Sequence, residues 1–311
     1  MIEEVVVLNF KSIKSAQFGC KRINVIIGPP NSGKSNLLEA IGLFSLFNAD
    51  CKIHHLVRFQ TLYNLFHDNS IEENLHIRTD QHQIRIRMKE NFEVTVETQL
   101  KTSVKSYDLY YDKIGKLLNT NPHYMSPVNS YHFRPADFYE SQHPINLKPP
   151  FGDNLALMLQ KYPDLRKEVS KTFKPYGHKL VVNLVENSLQ LQKDKDGLVV
   201  TYPYTLSSIT LQRYVFYLAA IATNKNSVIV FDEPAFHSTP EQVERFTQYI
   251  ANDKNNQYFI TIHNPGLLRM LMKKVAPEDM KMVTTEFSKG QTLVNSVAEN
   301  DYQRVLEDIM Q

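Results

Sequence analysis

The chain opens on short apolar runs set close together. Val5-Val6-Val7-Leu8-Asn9-Phe10 reads as one strand, with Ala16-Gln17-Phe18 on its return. Ile23-Asn24-Val25-Ile26-Ile27 is nearly continuous in apolar character, the pattern of a strand buried on both faces. Asn36-Leu37-Leu38-Glu39-Ala40-Ile41 follows as a helix, with Leu37, Leu38, Ile41 and Phe44 on one face. Over residues 71–111 the period changes to two. Leu75 and Ile77, then Ile84, Ile86 and Met88, then Phe92, Val94 and Val96 alternate with polar residues, which predicts a meander of half-solvated strands. Residues 119–152 carry Pro122, Pro127, Pro135, Pro144, Pro149 and Pro150 and read as a loop-rich connection. Residues 153–173 are helical in pattern, and short strands are expected over 181–184, 188–191 and 197–200. From Leu206 the order becomes helix, strand, helix, strand, helix, a hairpin around Ser288-Lys289-Gly290, and a last helix with Tyr302, Val305 and Ile309. That alternation belongs to a mostly parallel sheet, so an α/β fold is expected. No sustained heptads predict a long coiled-coil arm.

Between the buried strand and the first helix lies Gly28-Pro29-Pro30-Asn31-Ser32-Gly33-Lys34-Ser35, which fits the phosphate-binding pattern G-x-x-x-x-G-K-[ST]. Glycines at 28 and 33 let backbone N–H groups curl around a phosphate, and the helix N-terminus adds its positive dipole. Lys34 is placed for the β- and γ-phosphates and the Ser35 hydroxyl for magnesium. A nucleoside triphosphate is the expected ligand.

A second site lies two hundred residues on. Ser227-Val228-Ile229-Val230-Phe231-Asp232-Glu233-Pro234 sets two carboxylates at the carboxyl edge of a buried strand, where ligands gather in open α/β sheets. Asp232 is suited to hold magnesium and Glu233 to act as base for an attacking water. Gln257-Tyr258-Phe259-Ile260-Thr261-Ile262 ends in His263-Asn264-Pro265, and His263 is a candidate for the γ-phosphate or the water. Ser207 and Ser208 open an amphipathic helix with Tyr214, Tyr217 and Ile221. They serve either as helix caps or as a phosphate contact reaching a second subunit. On the meander, Arg85, Arg87 and Lys89 stand near Glu93 and Glu97, either as cross-strand charge pairs or as a patch for DNA.

Composition narrows little. The 311 residues are 42% apolar and 22% charged, with a formal net charge of +2 that argues neither for nor against nucleic acid. Cys20 and Cys51, without metal-like spacing, suggest a reducing compartment. No apolar run reaches the roughly 18–20 residues of a membrane span, and the acidic Met1-Ile2-Glu3-Glu4 start is unlike a signal peptide. A cytoplasmic location and no membrane partner are expected.

Taken in order, these motifs resemble the ABC-type ATPase head shared by SMC proteins, RecF-like repair ATPases and OLD-family proteins. Leu8-Asn9-Phe10-Lys11-Ser12-Ile13, the segment from Ile23 to Gly28, and Gly33-Lys34-Ser35-Asn36-Leu37-Leu38-Glu39-Ala40 are similar to that group's N-terminal block. Asp232-Glu233-Pro234, with His237 and Pro240, resembles its Walker B and D-loop, and Thr261–Pro265 its switch-histidine loop. The resemblance implies a P-loop NTPase of ABC type, with an antiparallel β subdomain and a helical subdomain beside the parallel core. Residues 1–50 and 205–311 would form the nucleotide-binding core, 51–150 a β-rich insert and 151–204 the helical, signature-side part of one domain. It also implies ATP and Mg2+ as ligands, with nucleotide contacts from Gly28, Asn31, Ser32, Gly33, Lys34, Ser35 and Asn36. Metal contacts would come from Ser35 and Asp232, and catalysis from Glu233, His263 and Lys34. Ser207 and Ser208 would touch the opposite protomer's nucleotide in a head-to-head homodimer or higher oligomer. One departure stands out: Ile209 occupies the position of the family's signature glycine, where a branched side chain obstructs backbone approach to phosphate. A weakened contact across the dimer is therefore expected, with either slow hydrolysis or an unorthodox dimer.

The nearest relatives in pattern are compact heads without coiled coils, including stand-alone and anti-phage defence ATPases. No acidic cluster with nuclease spacing follows the last hairpin, so an effector such as a nuclease would be a separate polypeptide. The expected function is an ATP-switched sensor or scaffold in phage defence or genome maintenance. A RecF-like DNA-binding repair ATPase is the alternative. A transporter subunit fits poorly, because the interval from Ser35 to Ser207 is too long.

Overall fold

The computed structural model describes residues 1–100, 103–119, 124–140, 145–235, 238–263 and 265–310. Pro122, Pro144, His237 and Asn264 lie outside the described residues, as does the side chain of Ile309. The chain begins with β1 (Glu4–Phe10), β2 (Ile13–Gly19) and β3 (Ile23–Ile27), then α1 (Lys34–Gly42). The meander is β4 (Leu75–Thr79), β5 (His82–Met88), β6 (Phe92–Leu100) and β7 (Ser103–Tyr111), followed by β8 (Val128–Tyr131). Two helices, α2 (Leu155–Lys161) and α3 (Pro163–Phe173), precede β9 (Lys179–Asn183), β10 (Ser188–Lys195) and β11 (Leu198–Pro203). The rest is α4 (Ile209–Thr223), β12 (Val228–Asp232), α5 (Pro240–Asn252), β13 (Gln257–Thr261), α6 (Pro265–Lys274), β14 (Met280–Ser288), β15 (Gln291–Ser296) and α7 (Tyr302–Met310).

The continuous apolar runs and the alternating ones go to different sheets. β3, β12 and β13 join β8 and β14 in a sheet ordered β15-β14-β3-β13-β12-β8, parallel except for the β14–β15 hairpin. Every residue of β3 and β13 is buried, as a sheet covered on both faces requires. Alternate side chains enter two cores. Val25, Ile229, Phe231, Tyr258 and Ile260 face α2 and α4–α6, while Ile26, Val230 and Phe259 face α1 and the second sheet. That second sheet is antiparallel and runs β2-β1-β4-β5-β6-β7, with Val5, Val7, Ile77, Ile84, Ile86 and Val94 turned inward. A three-stranded sheet, β11-β10-β9, accompanies α2 and α3.

Two expectations meet a different arrangement. The division at residue 50 falls within one sheet, because β1 pairs with β4 as well as with β2. The loop-rich 119–152 contains β8, an edge strand of the parallel sheet. Its Asn129 and Ser130 are buried polar residues, held by the Asn48 and Asn224 amides and the Ser45 hydroxyl. Apolar patterning could not reveal it. Among the described residues, no helix is long and apolar enough to cross a membrane.

Candidate functional site

The glycine loop links β3 to α1 at the carboxyl edge of the parallel sheet. Gly33 is the N-cap of α1 at φ +95°, and no side chain caps that helix start. The first N–H groups of α1 therefore point into the loop with no capping side chain. A Cβ on Gly33 would strike the side chain of Thr292, and one on Gly28 would lie 2.6 Å from the Thr285 hydroxyl. Asn31 is exposed at the loop tip with φ 60°. Lys34 is buried and donates from Nζ to the Gly28 and Pro29 carbonyls, both at 2.8 Å. Burial pushes its pKa down, and the nearby charges of Glu233 and Asp232 oppose that shift. Two candidate contacts are already engaged: the Ser32 hydroxyl lies 2.6 Å from that of Thr285, and the Asn36 amide donates to Ser12 at 2.7 Å. At Asn36 the backbone N–H is the group left for a ligand, whereas the Ser32 N–H already donates to the Pro29 carbonyl at 3.3 Å and would have to leave it.

The acids arrive from the far side of β13. Asp232 closes β12 and is in register with Thr261 of β13, which pairs in turn with Ile26 of β3. The glycine loop and the acid pair thus flank a single strand. The Thr261 hydroxyl donates to the Asp232 carboxylate and accepts the Glu233 N–H at 2.9 Å. Glu233 takes a left-handed backbone, φ 46°, and its carbonyl accepts from Arg213 at 3.0 Å. Arg213 also lies 5.7 Å from the rings of Phe133 and Tyr217. His263, just beyond β13, places Nε2 3.2 Å from the Glu233 carboxylate.

Three further groups border the site without having been singled out in the sequence. Thr261 is one. His132 follows the last residue of β8 and sits 3.1 Å from the Ser130 hydroxyl; burial lowers its pKa, against the fields of Asp232 and Glu39. Arg58 bonds the buried Glu39 of α1 at 2.8 Å, and Lys11 pairs with the same carboxylate. The available signal was positional: β3, β12, β13 and β8 all end on this edge. The serine pair stands apart. Ser207 turns its hydroxyl to the Tyr204 carbonyl at 2.7 Å, while Ser208 is the exposed N-cap of α4. Among the described residues, no hydrogen bond joins either serine to residues 28–36.

Ser35 and Asp232, the candidate donors, would suit magnesium rather than a protein-caged metal. Among the described residues no cluster of three or more His, Cys, Asp or Glu side chains could hold an ion. One hydroxyl and one carboxylate, Ser35 and Asp232, suit an ion that keeps several waters and takes its remaining oxygens from phosphates.

A sequence model of the AAA ATPase domain matches residues 1–196. Among solved structures, the chain is similar to an SMC head bound to the C-winged helix domain of ScpA, at 14% identity and TM-score 0.53, covering 97% of this chain and 99% of that one. It is also similar to the SMC head domain with an extended coiled coil bound to the C-terminal domain of ScpA from Pyrococcus furiosus, at 13% identity and TM-score 0.50, covering 100% and 99%. These likenesses speak for the fold. No curated protein matches the chain. The matched segment holds the glycine loop and exceeds half of the sequence, and the chain belongs to the AAA ATPase domain family, with the fold of an SMC-like ABC-type head.

Proposed function

We propose that the chain binds Mg-ATP, hydrolyses it slowly and uses the bound state as a switch. The observation that carries this reading is the sheet order, which sets the glycine loop after β3 and the Asp232–Glu233 pair at the end of β12 on one edge with only β13 between them. In it, Gly28, Asn31, Ser32, Gly33 and Asn36 offer backbone groups to the phosphates, and Lys34 swings from its own loop onto the β- and γ-phosphates. Ser35 and Asp232 hold the Mg2+, whose charge offsets that of the triphosphate. Glu233 takes the proton of the attacking water, and His263, now against Glu233, contacts the γ-phosphate. Ser207 and Ser208 reach the nucleotide of a second copy in a head-to-head dimer. Leu206 and Ile209, 73% and 50% exposed beside them, support a contact at that surface. Ile209 in place of glycine keeps that contact loose and turnover slow.

A nucleotide-switched scaffold that controls a separate effector, such as a nuclease in phage defence or genome maintenance, fits better than a DNA platform. Arg87 and Lys89 are both spent on Glu93. The test compares the parent with Lys34→Ala and Glu233→Gln by Mg-ATP calorimetry, phosphate release and gel filtration. Lys34→Ala should bind no ATP, whereas Glu233→Gln should bind, fail to turn over and elute as an ATP-dependent dimer. Turnover by Glu233→Gln at the parent rate removes the base assignment. A parent that binds no Mg-ATP removes the whole reading.

A further inference from the structure

The C-terminal hairpin touches the glycine loop at both ends. Thr285 of β14 and Thr292 of β15 are buried, as is Ser32. At the loop's start, the Thr285 hydroxyl lies 2.6 Å from the Ser32 hydroxyl and 3.4 Å from the Ile27 carbonyl, and it fills the space beside Gly28. At the loop's end, the Thr292 side chain occupies the place a Gly33 Cβ would take. The Thr292 hydroxyl is 2.7 Å from that of Ser12, which also accepts the Asn36 amide. The Thr292 backbone N–H donates to the Ser12 carbonyl at 2.6 Å. One hairpin therefore ties together the loop, the first turn of α1 and the β1–β2 turn.

We propose that the β14–β15 hairpin is the outer wall of the phosphate loop, with Thr285 and Thr292 as positioning residues for nucleotide; this rests on the Mg-ATP reading above. Glycine-rich backbone has many conformations to lose on binding. Two buried hydroxyls that hold its ends in the receiving shape lower that cost before ligand arrives. Both threonines are buried; deleting the Thr285 hydroxyl leaves the buried Ser32 hydroxyl without that partner, and deleting the Thr292 hydroxyl removes the link from the hairpin through Ser12 to the Asn36 amide. Neither threonine touches the phosphates: each acts through Ser32, Gly33 or Asn36.

The test uses the full chain, with Mg-AMP-PNP calorimetry beside melting curves taken without nucleotide. Thr285→Val and Thr292→Val keep the branched shape and lose the hydroxyl, whereas Thr285→Ser and Thr292→Ser keep the hydroxyl. Each valine variant should weaken binding about three- to tenfold, and each serine variant should bind within about twofold of the parent. A merely structural role would lower the melting temperature and leave the affinity of the folded protein unchanged. Valine variants that bind like the parent overturn the proposal, as do serine variants that bind as weakly as valine. Should Thr292→Val fail to fold, the Thr285 pair decides at the other end of the loop. A parent that binds no Mg-AMP-PNP removes the site and the role together, an outcome distinct from a binding parent with unaffected variants.

Discussion

Thr261→Val tests whether the acid pair is held in place by a side chain that takes no part in the chemistry. The threonine hydroxyl donates to Asp232 and accepts the Glu233 N–H at 2.9 Å. Its residue is fully buried, so water cannot substitute. A hydrogen bond to a charged acceptor contributes about 1.5–3 kcal/mol and a neutral one about 1, so the loss should be roughly 2–4 kcal/mol. For a chain of 311 residues the unfolding entropy near the midpoint is about 0.65 kcal/mol/K, which converts that loss to a fall in Tm of about 3–6 °C. A second effect falls on turnover. Glu233 holds φ 46°, a conformation that costs a non-glycine residue about 1–2 kcal/mol and that its N–H bond helps to maintain. Released, the Glu233 carboxylate leaves its position, and kcat should fall at least about tenfold. The KM for Mg-ATP should rise as well, but by less than kcat falls, because Asp232 loses one support while the glycine loop is untouched. Scanning calorimetry and steady-state phosphate release give both readouts. A variant that melts with the parent and keeps its kcat would refute the reasoning, and a raised KM at unchanged kcat would shift the role to ground-state binding.

Two other perturbations probe different parts of the molecule. Gly33→Ala puts a Cβ into the Thr292 side chain at φ +95°, so nucleotide affinity measured by calorimetry should fall at least about a hundredfold; parent-like binding would mean that the loop shape is not the one that receives phosphate. Glu93 is paired with Arg87 and Lys89; the hydrogen bond from Arg87, then that from Lys89 and their charges, hold its carboxyl down to about 2 against its burial. Its folded pKa lies below its unfolded value, so its contribution is complete above that value and is lost as pH falls toward the folded one. The urea midpoint of Glu93→Gln should therefore lie below the parent's at about pH 6, with the gap narrowing between about pH 5 and 3. A gap that stays constant over that range would count against the pairing.

What the sequence disclosed was set by how local each signal is. The positions of the glycine loop and of Asp232-Glu233 at one sheet edge are legible because each follows directly on a buried apolar run in the local sequence. The meander is legible because one wet face imposes a period of two on 75–96. β8 is not: Val128-Asn129-Ser130-Tyr131 is buried through an asparagine network whose partners come from residues 48 and 224. Thr261 opens the segment that resembles the switch-histidine loop, but its bonds to the acid pair exist only in the register that sets it opposite Asp232. Ser32 and Asn36 sit inside the motif and invite assignment to the ligand. Their side chains are instead committed to Thr285 and Ser12, through contacts made by residues more than 250 positions away or in the first hairpin.

The same topology explains why the segment matched by the family cannot hold the site alone. Residues 1–196 contain the glycine loop, yet β3 lies between β13 and β14, both from the last sixty residues. Gln257 at the start of β13 bonds the backbone of Ile2 in both directions at 2.7 Å, and Arg22 before β3 pairs with Asp279 before β14. The strand that aims the loop is thus fixed only when the C-terminal strands arrive. Those strands bring Thr261, which orders the acids, and Thr285 and Thr292, which order the loop. The shape of the glycine loop and the placement of the acid pair therefore depend on the same C-terminal strands.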